Sequence, residues 1–175
     1  SASKVFGVSS ESLQMNLLYD VAHNIGKIEE HTFGGFTKQV LVHRKGATRV
    51  FGPGHKDVPE KYRDIGQPVL IPGDMGTGSY ILKGTKGAME LSFGSACHGA
   101  GRALSRTKAK RSISAAVLRE QLAQQGVYVR SATVKGLVEE APDAYKDVDA
   151  VVEATSCAGL AGKVARVRPM GVIKG

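Results

Sequence analysis

Glycine constrains this chain more than any other residue type. There are 22 glycines in 175 residues, about one in eight, against a usual level of about 7 %. They are scattered through short turns with no period, so neither a collagen repeat nor a flexible linker accounts for them. Many tight turns, or many places where backbone meets a ligand, are the two explanations left. Between the glycines lie short helical and hairpin-like strand patterns without a regular β-α-β alternation. The pattern predicts an α+β fold, with helices mixed among mostly antiparallel strands, in one domain over residues 1–175.

Ser10 is placed as a helix N-cap, with Leu13, Leu17, Leu18 and Val21 at helical spacing behind it and Gly26 as the stop. That helix would carry His23 at its end, a rigid platform for a ligating side chain. A lone histidine is more often a hydrogen-bonded structural residue. Phe36 to His43 reads as a strand followed by the basic turn Arg44 to Arg49, whose Arg44, Lys45 and Arg49 either hold phosphates or form a solvated loop. Gln67 to Pro72 is a short buried strand running into Gly73-Asp74-Met75-Gly76-Thr77-Gly78-Ser79. Successive N–H groups in such a turn can form an anion-binding nest, and a plain hairpin turn explains it equally well. It is not a P-loop: no Gly-Lys-Ser/Thr follows, and Tyr80-Ile81-Leu82 begins another strand.

The stretch Phe93 to Arg106 holds the densest chemistry. His98 heads Gly99-Ala100-Gly101-Arg102, where small residues let a ligand approach the backbone and Arg102 and Arg106 carry planar guanidinium groups suited to phosphate. An imidazole in that setting reads as a nucleophile facing a phosphorylated ligand. Beyond it, Ile113, Val117, Leu118 and Leu122 line one helix ending at Gly126, Val127 to Val129 form a strand, and Ala141 to Tyr145 start a last helix with Val148, Val151 and Val152 inward. Val164 to Gly175 alternates apolar and basic residues like a single terminal strand.

A net charge of +8 and a pI near 9.6 favour polyanionic partners such as RNA, DNA or nucleotides, or else a basic surface kept for solubility. Two cysteines make no disulfide framework and point to a reducing compartment. No apolar run reaches the roughly 18 residues of a membrane span. The expectation is a cytoplasmic protein.

Five words occur in order: Tyr19 to Ile25, His43 to Arg49, Pro72 to Thr77, Cys97 to Arg102, and Gly171 to Gly175. Together they closely resemble the C-terminal part of the RtcB family of RNA-splicing ligases, over about Val5 to Gly175. The resemblance implies a nucleotide/metal cleft and a GTP- and manganese-dependent RNA ligase, with two manganese ions expected in the complete enzyme. Such enzymes join 2′,3′-cyclic-phosphate or 3′-phosphate ends to 5′-hydroxyl ends in tRNA splicing and RNA repair. His98 falls on the family's nucleophile, which becomes a GMP-histidine, and His23 on a metal ligand. Asn24, Pro72, Gly73, Asp74, Met75, Ser79, Gly99, Ala100 and Gly101 match nucleotide-contacting positions. Lys174 matches a lysine that contacts guanine, and Tyr145 an aromatic residue near the base. Asp74 departs from the Ser or Thr common in that turn, so its backbone amide would serve, or its side chain would turn away. Lys45 and Arg49 are candidate RNA or phosphate contacts, His43 lies near the RNA, and Cys97 is a packed residue and not the family's metal cysteine. RNA is the implied partner, with archease as a candidate helper.

Family members carry about as many residues again, or more, before the point where this chain starts. That portion holds the metal cysteine, two further metal histidines and an asparagine- and glutamate-bearing nucleotide motif, and Ser1 to Asp20 has no Cys or His to replace them. The chain is therefore expected to be a piece of a longer one, in preference to half of a split enzyme, and to be inactive by itself. The rival function is an RNA- or nucleotide-binding module without catalysis.

Overall fold

Residues Ala2–Lys174 are described by a computed structural model of the chain. A short helix α1 (Ala2–Phe6) precedes the long strands β1 (Asn24–Phe33) and β2 (Phe36–Lys45), and β3 (Ala47–Arg49) follows directly. A 3₁₀ turn over Glu60–Tyr62 leads to β4 (Pro68–Pro72), β5 (Ser79–Gly84), α2 (Lys86–Ser92) and β6 (Ser95–Cys97). The second half contains α3 (Arg106–Ser112), α4 (Ala115–Gln124), β7 (Tyr128–Ser131), α5 (Val134–Glu139), a 3₁₀ turn over Pro142–Ala144, α6 (Val148–Cys157), β8 (Ala161–Val167) and β9 (Gly171–Lys174). The chain is α+β. Its strand pairs β1–β2, β3–β6, β4–β5 and β5–β8 are antiparallel, and only β7–β9 is parallel among the described residues.

Gly34 and Gly35 close the β1–β2 hairpin with φ of +59° and +79°, the double positive that a tight two-residue turn requires. The three-stranded sheet β4–β5–β8 packs Val69, Ile71 and Leu82 against Val148 and Val152 of α6. Asp147 caps α6 by accepting from the Asp149 N–H at 2.8 Å. A second core gathers Met75, Leu118, Leu122, Val127, Leu137 and Ala141 around α4.

Four expectations are corrected here. Residues 10–23 form turns and extended chain, with Leu17 and Leu18 exposed and Tyr19 packed on Tyr62; His23 therefore enters β1 from an extended segment and not from a helix end. The helix expected to carry Ile113, Val117, Leu118 and Leu122 is α4, which starts only at Ala115; Ile113 lies in the break after α3, and Val117 points to solvent. The last helix is a 3₁₀ turn followed by α6. The tail is two strands, since β8 ends at Val167 and β9 begins at Gly171, with Pro169, which has no N–H to donate, between them. Gly175 at the end of the last sequence word lies outside the described residues.

Candidate active site

β3 and β6 pair with Ala47 opposite Cys97, so the next residue, His98, lands beside Gly46. Atoms Cδ2 and Nε2 of His98 would lie 3.8 Å from a Cβ at Gly46, whose φ is +69°. The Gly46 N–H donates to the His23 carbonyl at 3.0 Å, one step beyond the Asn24–Lys45 pair that opens the hairpin. These contacts bring two imidazoles together: His23 and His98 stack with centroids 4.6 Å apart and planes 11° from parallel. Burial, and secondarily the charge of His23, hold the His98 pKa below the ordinary histidine value. A neutral ring nitrogen is the nucleophilic form.

The residues after His98 bind it to the glycine-rich turn. The Ala100 N–H donates to the Pro72 carbonyl at 3.0 Å, and a Cβ on Gly99 would stand 3.3 Å from that same oxygen. Pro72 ends β4 opposite Ser79, and the Gly73 N–H bonds across the turn to the Gly78 carbonyl at 3.0 Å. Asp74 turns its carboxylate into its own loop. Oδ1 accepts from the Gly76 and Thr77 N–H groups at 2.8 and 2.9 Å, and Oδ2 from the Thr77 hydroxyl at 2.7 Å. Its side chain is thereby spent on the turn, as a polar side chain that organises local backbone.

Gly73, Asp74, Met75 and Ser79 line a cavity of about 230 Å³, together with Tyr145 and Lys174 from far along the chain. Glu140, Pro169 and Val172 complete the wall. Glu140 is the polar residue that sequence reasoning missed. Its carboxylate accepts from the Tyr145 hydroxyl at 2.5 Å and from Lys174 Nζ at 3.4 Å. The adjacent Glu139 instead faces Lys110 and Arg106. No sequence signal separates these two neighbouring acids; only the packing of α5 does. Burial, followed by the bond to Glu140, raises the Tyr145 pKa above the ordinary phenol value.

Several basic residues stand elsewhere than expected. Arg44 is buried and bidentate to Glu29, at 2.7 and 2.8 Å, so it is neither a solvated residue nor a free phosphate ligand. Arg102 is occupied by the Leu104 and Glu139 carbonyls and by Glu140 and Tyr145, over whose ring its guanidinium lies 5.0 Å from the centroid. It holds the cavity wall in place. Arg49 packs 4.7 Å over the Phe51 ring. Asn24, His43 and Lys45 are exposed at the open end of the hairpin, outside the cavity. Cys97 is half-buried with Sγ 3.3 Å from the Thr155 hydroxyl, and both cysteines are free thiols.

A transition metal at a catalytic centre takes about three protein ligands. Among the described residues no group of three His, Cys, Asp or Glu side chains is assembled for one. Ring nitrogens coordinate in the ring plane, so the nearly parallel His23 and His98 rings do not converge on one ion as they stand. The described residues therefore do not by themselves make a metal centre. No helix among the described residues is long and apolar enough to cross a membrane.

The arrangement sets a weakly basic imidazole beside a glycine-rich backbone segment, with a polar cavity beyond it. Residues 1–175 match the family model described as tRNA-splicing ligase RtcB, and the chain belongs to that family. It is 57 % identical over 175 residues to the tRNA-splicing ligase RtcB of Thermococcus kodakarensis, covering 100 % of this chain and 36 % of the relative. It is 58 % identical over 172 residues to that of Archaeoglobus fulgidus, covering 98 % of this chain and 36 % of the relative. The match to that of Pyrococcus abyssi is 57 % over 175 residues, covering 19 % of the relative. The chain thus spans no more than 36 % of the length of these relatives.

Proposed function

We propose that this chain is the nucleophile-bearing portion of a GTP- and manganese-dependent RNA ligase that joins 2′,3′-cyclic-phosphate or 3′-phosphate ends to 5′-hydroxyl ends. The observation that carries the proposal is the continuity of the site. His98 is tied through Gly99 and Ala100 to Pro72, at the rim of the cavity lined by Gly73, Asp74, Met75, Ser79, Tyr145 and Lys174. A nucleotide lying in that cavity would present its α-phosphate along the Gly99 to Gly101 backbone, with the base towards Tyr145 and Lys174. Asn24 would meet it from the hairpin side.

A neutral nitrogen of His98 would then form a bond to the α-phosphorus as the bond to pyrophosphate breaks, giving a GMP-histidine. The guanylyl group would pass to an RNA 3′-phosphate, and the 5′-hydroxyl of the second RNA would displace GMP to leave a phosphodiester. Manganese, held by His23 and by donors outside this chain, would supply neutralisation of the phosphate charge. The basic surface, with Lys45 and Arg49, would meet the RNA backbone. Archease is a candidate helper, and the cytoplasm the expected compartment.

Labelled GTP and manganese followed by a denaturing gel test this reading. The 175-residue chain alone should give no stable adduct, because His23 is one donor of about three. The chain supplied with the portion that its relatives carry should label, and His98→Ala should abolish that label. Labelling that persists in His98→Ala would overturn it, and salt-dependent RNA binding without any adduct would favour a binding module.

A further inference from the structure

Arg44, expected in a basic turn, lies in β2; it is absent from the wall of the cavity that holds Gly73 and Lys174 and borders instead a separate cavity of about 160 Å³ beside Tyr19, Ala22 and Arg49. Its guanidinium is buried between two elements. From β2 it forks onto Glu29 of β1, and its remaining donors cross to the segment that precedes His98. Nε donates to Ser95 Oγ at 2.9 Å, and Nη2 to the Phe93 carbonyl at 2.8 Å and the Gly94 carbonyl at 3.3 Å. His31, also buried, lies with Nε2 3.1 Å from the second Glu29 oxygen and packs edge-on to Phe93 at 5.1 Å. Phe93 is itself unusual, a bulky residue with φ of +51° at the end of α2. A conformation of that kind persists only where its surroundings over-determine it. A Cβ on Gly94 would stand 2.4 Å from the Phe51 ring, so the neighbouring residue has no freedom to shift either.

We infer that Arg44, fixed by Glu29 and His31, is a positioning residue. It locks the Phe93–Ser95 segment to the β1–β2 hairpin and so sets where His98 stands against His23. The two rings of the stack flank different elements: His23 immediately precedes β1, and His98 immediately follows β6. β6 is only three residues long and pairs with the equally short β3, which is too little to fix its register alone. Arg44 ties the hairpin that carries His23 to the start of the strand that carries His98. Lysine cannot substitute, because a point ammonium does not reach a carboxylate, a hydroxyl and two carbonyls from one plane. The inference rests on the proposed ligase chemistry only in calling this geometry productive.

The experiment uses the full-length protein with selectively labelled histidine rings, observed by NMR at a temperature well below unfolding. The wild type should give ring-to-ring contacts between His23 and His98. Arg44→Lys should weaken or abolish them while core methyl signals of Val148 and Val152 stay in place. Ser95→Ala removes one tie without unburying a charge and should shift the same ring signals to a smaller degree. In parallel, guanylylation by Arg44→Lys should slow by about ten- to a hundredfold with GTP affinity unchanged, as expected when a reacting group is misplaced by about 1 Å. Unchanged ring contacts in both variants, or a rate within about twofold of wild type in Arg44→Lys, overturns the inference. A wild type that shows the ring contacts but never labels overturns the ligase reading and leaves the clamp standing.

Discussion

The imidazole rings of His23 and His98 lie face to face, 4.6 Å apart at their centroids, although 74 residues of chain separate them. His23 is exposed and His98 half-buried, and neither anchors the core. Their substitution should therefore cost function before stability. In the protein supplied with its family's remaining portion, His98→Ala should lose the nucleotide adduct completely. His23→Ala should slow labelling on the order of a hundredfold, as loss of a ligand or of its support does at metal sites. Both should unfold within about 1 kcal/mol of wild type in urea, the ordinary range for substitutions outside a core. Loss of the fold in either variant would show the pair to be structural.

Two glycines at the site make opposite demands. A Cβ on Gly73 would stand 2.1 Å from the Gly78 carbonyl oxygen and 3.1 Å from the Val148 side chain, both fixed by the sheet and the core. A Cβ on Gly99 would meet the Pro72 oxygen at 3.3 Å, a contact that small shifts relieve. Gly73→Ala should therefore lose several kcal/mol, on the order of 3 or more, as overpacking against backbone does. Gly99→Ala should lose about 1 kcal/mol or less, yet weaken guanine-nucleotide binding, because its added methyl occupies the path between His98 and the cavity. Chemical denaturation and binding of a fluorescent GTP analogue separate the two effects.

The same chain shows what alternation and spacing reveal and where they fail. β2 was legible from its run of apolar and β-branched residues, of which Val40 and Val42 turn partly inward while Phe36 and Leu41 are exposed. β1 was not, since it carries the opposite pattern: Ile28 is 74 % exposed, while Glu29 and His31 are 5 % and 2 % exposed. Burial there follows pairing with Arg44, a partner 15 residues away from Glu29, and no local pattern encodes it. The apolar spacing of Leu13, Leu17 and Leu18 misled: the segment is turns and extended chain, with Leu17 and Leu18 exposed. The cavity residues from Gly73 to Ser79, Tyr145 and Lys174 were reachable through the family's words. Glu140, which joins the last two, was not.

The buried Glu29–Arg44 pair gives a prediction about stability alone. Arg44 makes five hydrogen bonds, through Nε, Nη1 and Nη2, to Glu29 on one side and to Phe93, Gly94 and Ser95 on the other, and its removal leaves Glu29 and two carbonyls without this partner. Arg44→Met should destabilise by about 3–5 kcal/mol, the usual cost of leaving a buried charge unpaired. The double variant Arg44→Met with Glu29→Met removes the orphaned charge and should recover part of that loss. A double variant no more stable than Arg44→Met would mean that the ties to Phe93, Gly94 and Ser95, and not the ion pair, carry the effect. Urea midpoints of the three proteins measure it.

Glu140 links the site to pH. Burial by itself would raise the pKa of its carboxyl, but the Tyr145 hydroxyl and the charges of Lys174 and Arg102 outweigh burial and hold it below the ordinary carboxylate range. A carboxyl with a depressed folded-state pKa contributes stability that is fully present above its unfolded value, about 4.3, and is lost as pH falls through the folded value. Wild type should accordingly begin to lose stability as pH falls past about 4.3 and go on losing it down through the folded value. Glu140→Gln keeps the shape and an acceptor for Tyr145 but has no proton to take up. At about pH 6 it should be less stable than wild type by about 1 kcal/mol, a figure reduced because the side chain is partly solvated. The gap should close as the pH falls through the folded value of Glu140, since the protonated wild-type carboxyl then resembles the amide. Glu29, whose pKa is lowered in the same direction, remains in both proteins, so the difference between them isolates Glu140. A gap that stays constant across the titration would show that the carboxylate charge does not hold Tyr145 and Lys174 at the cavity wall.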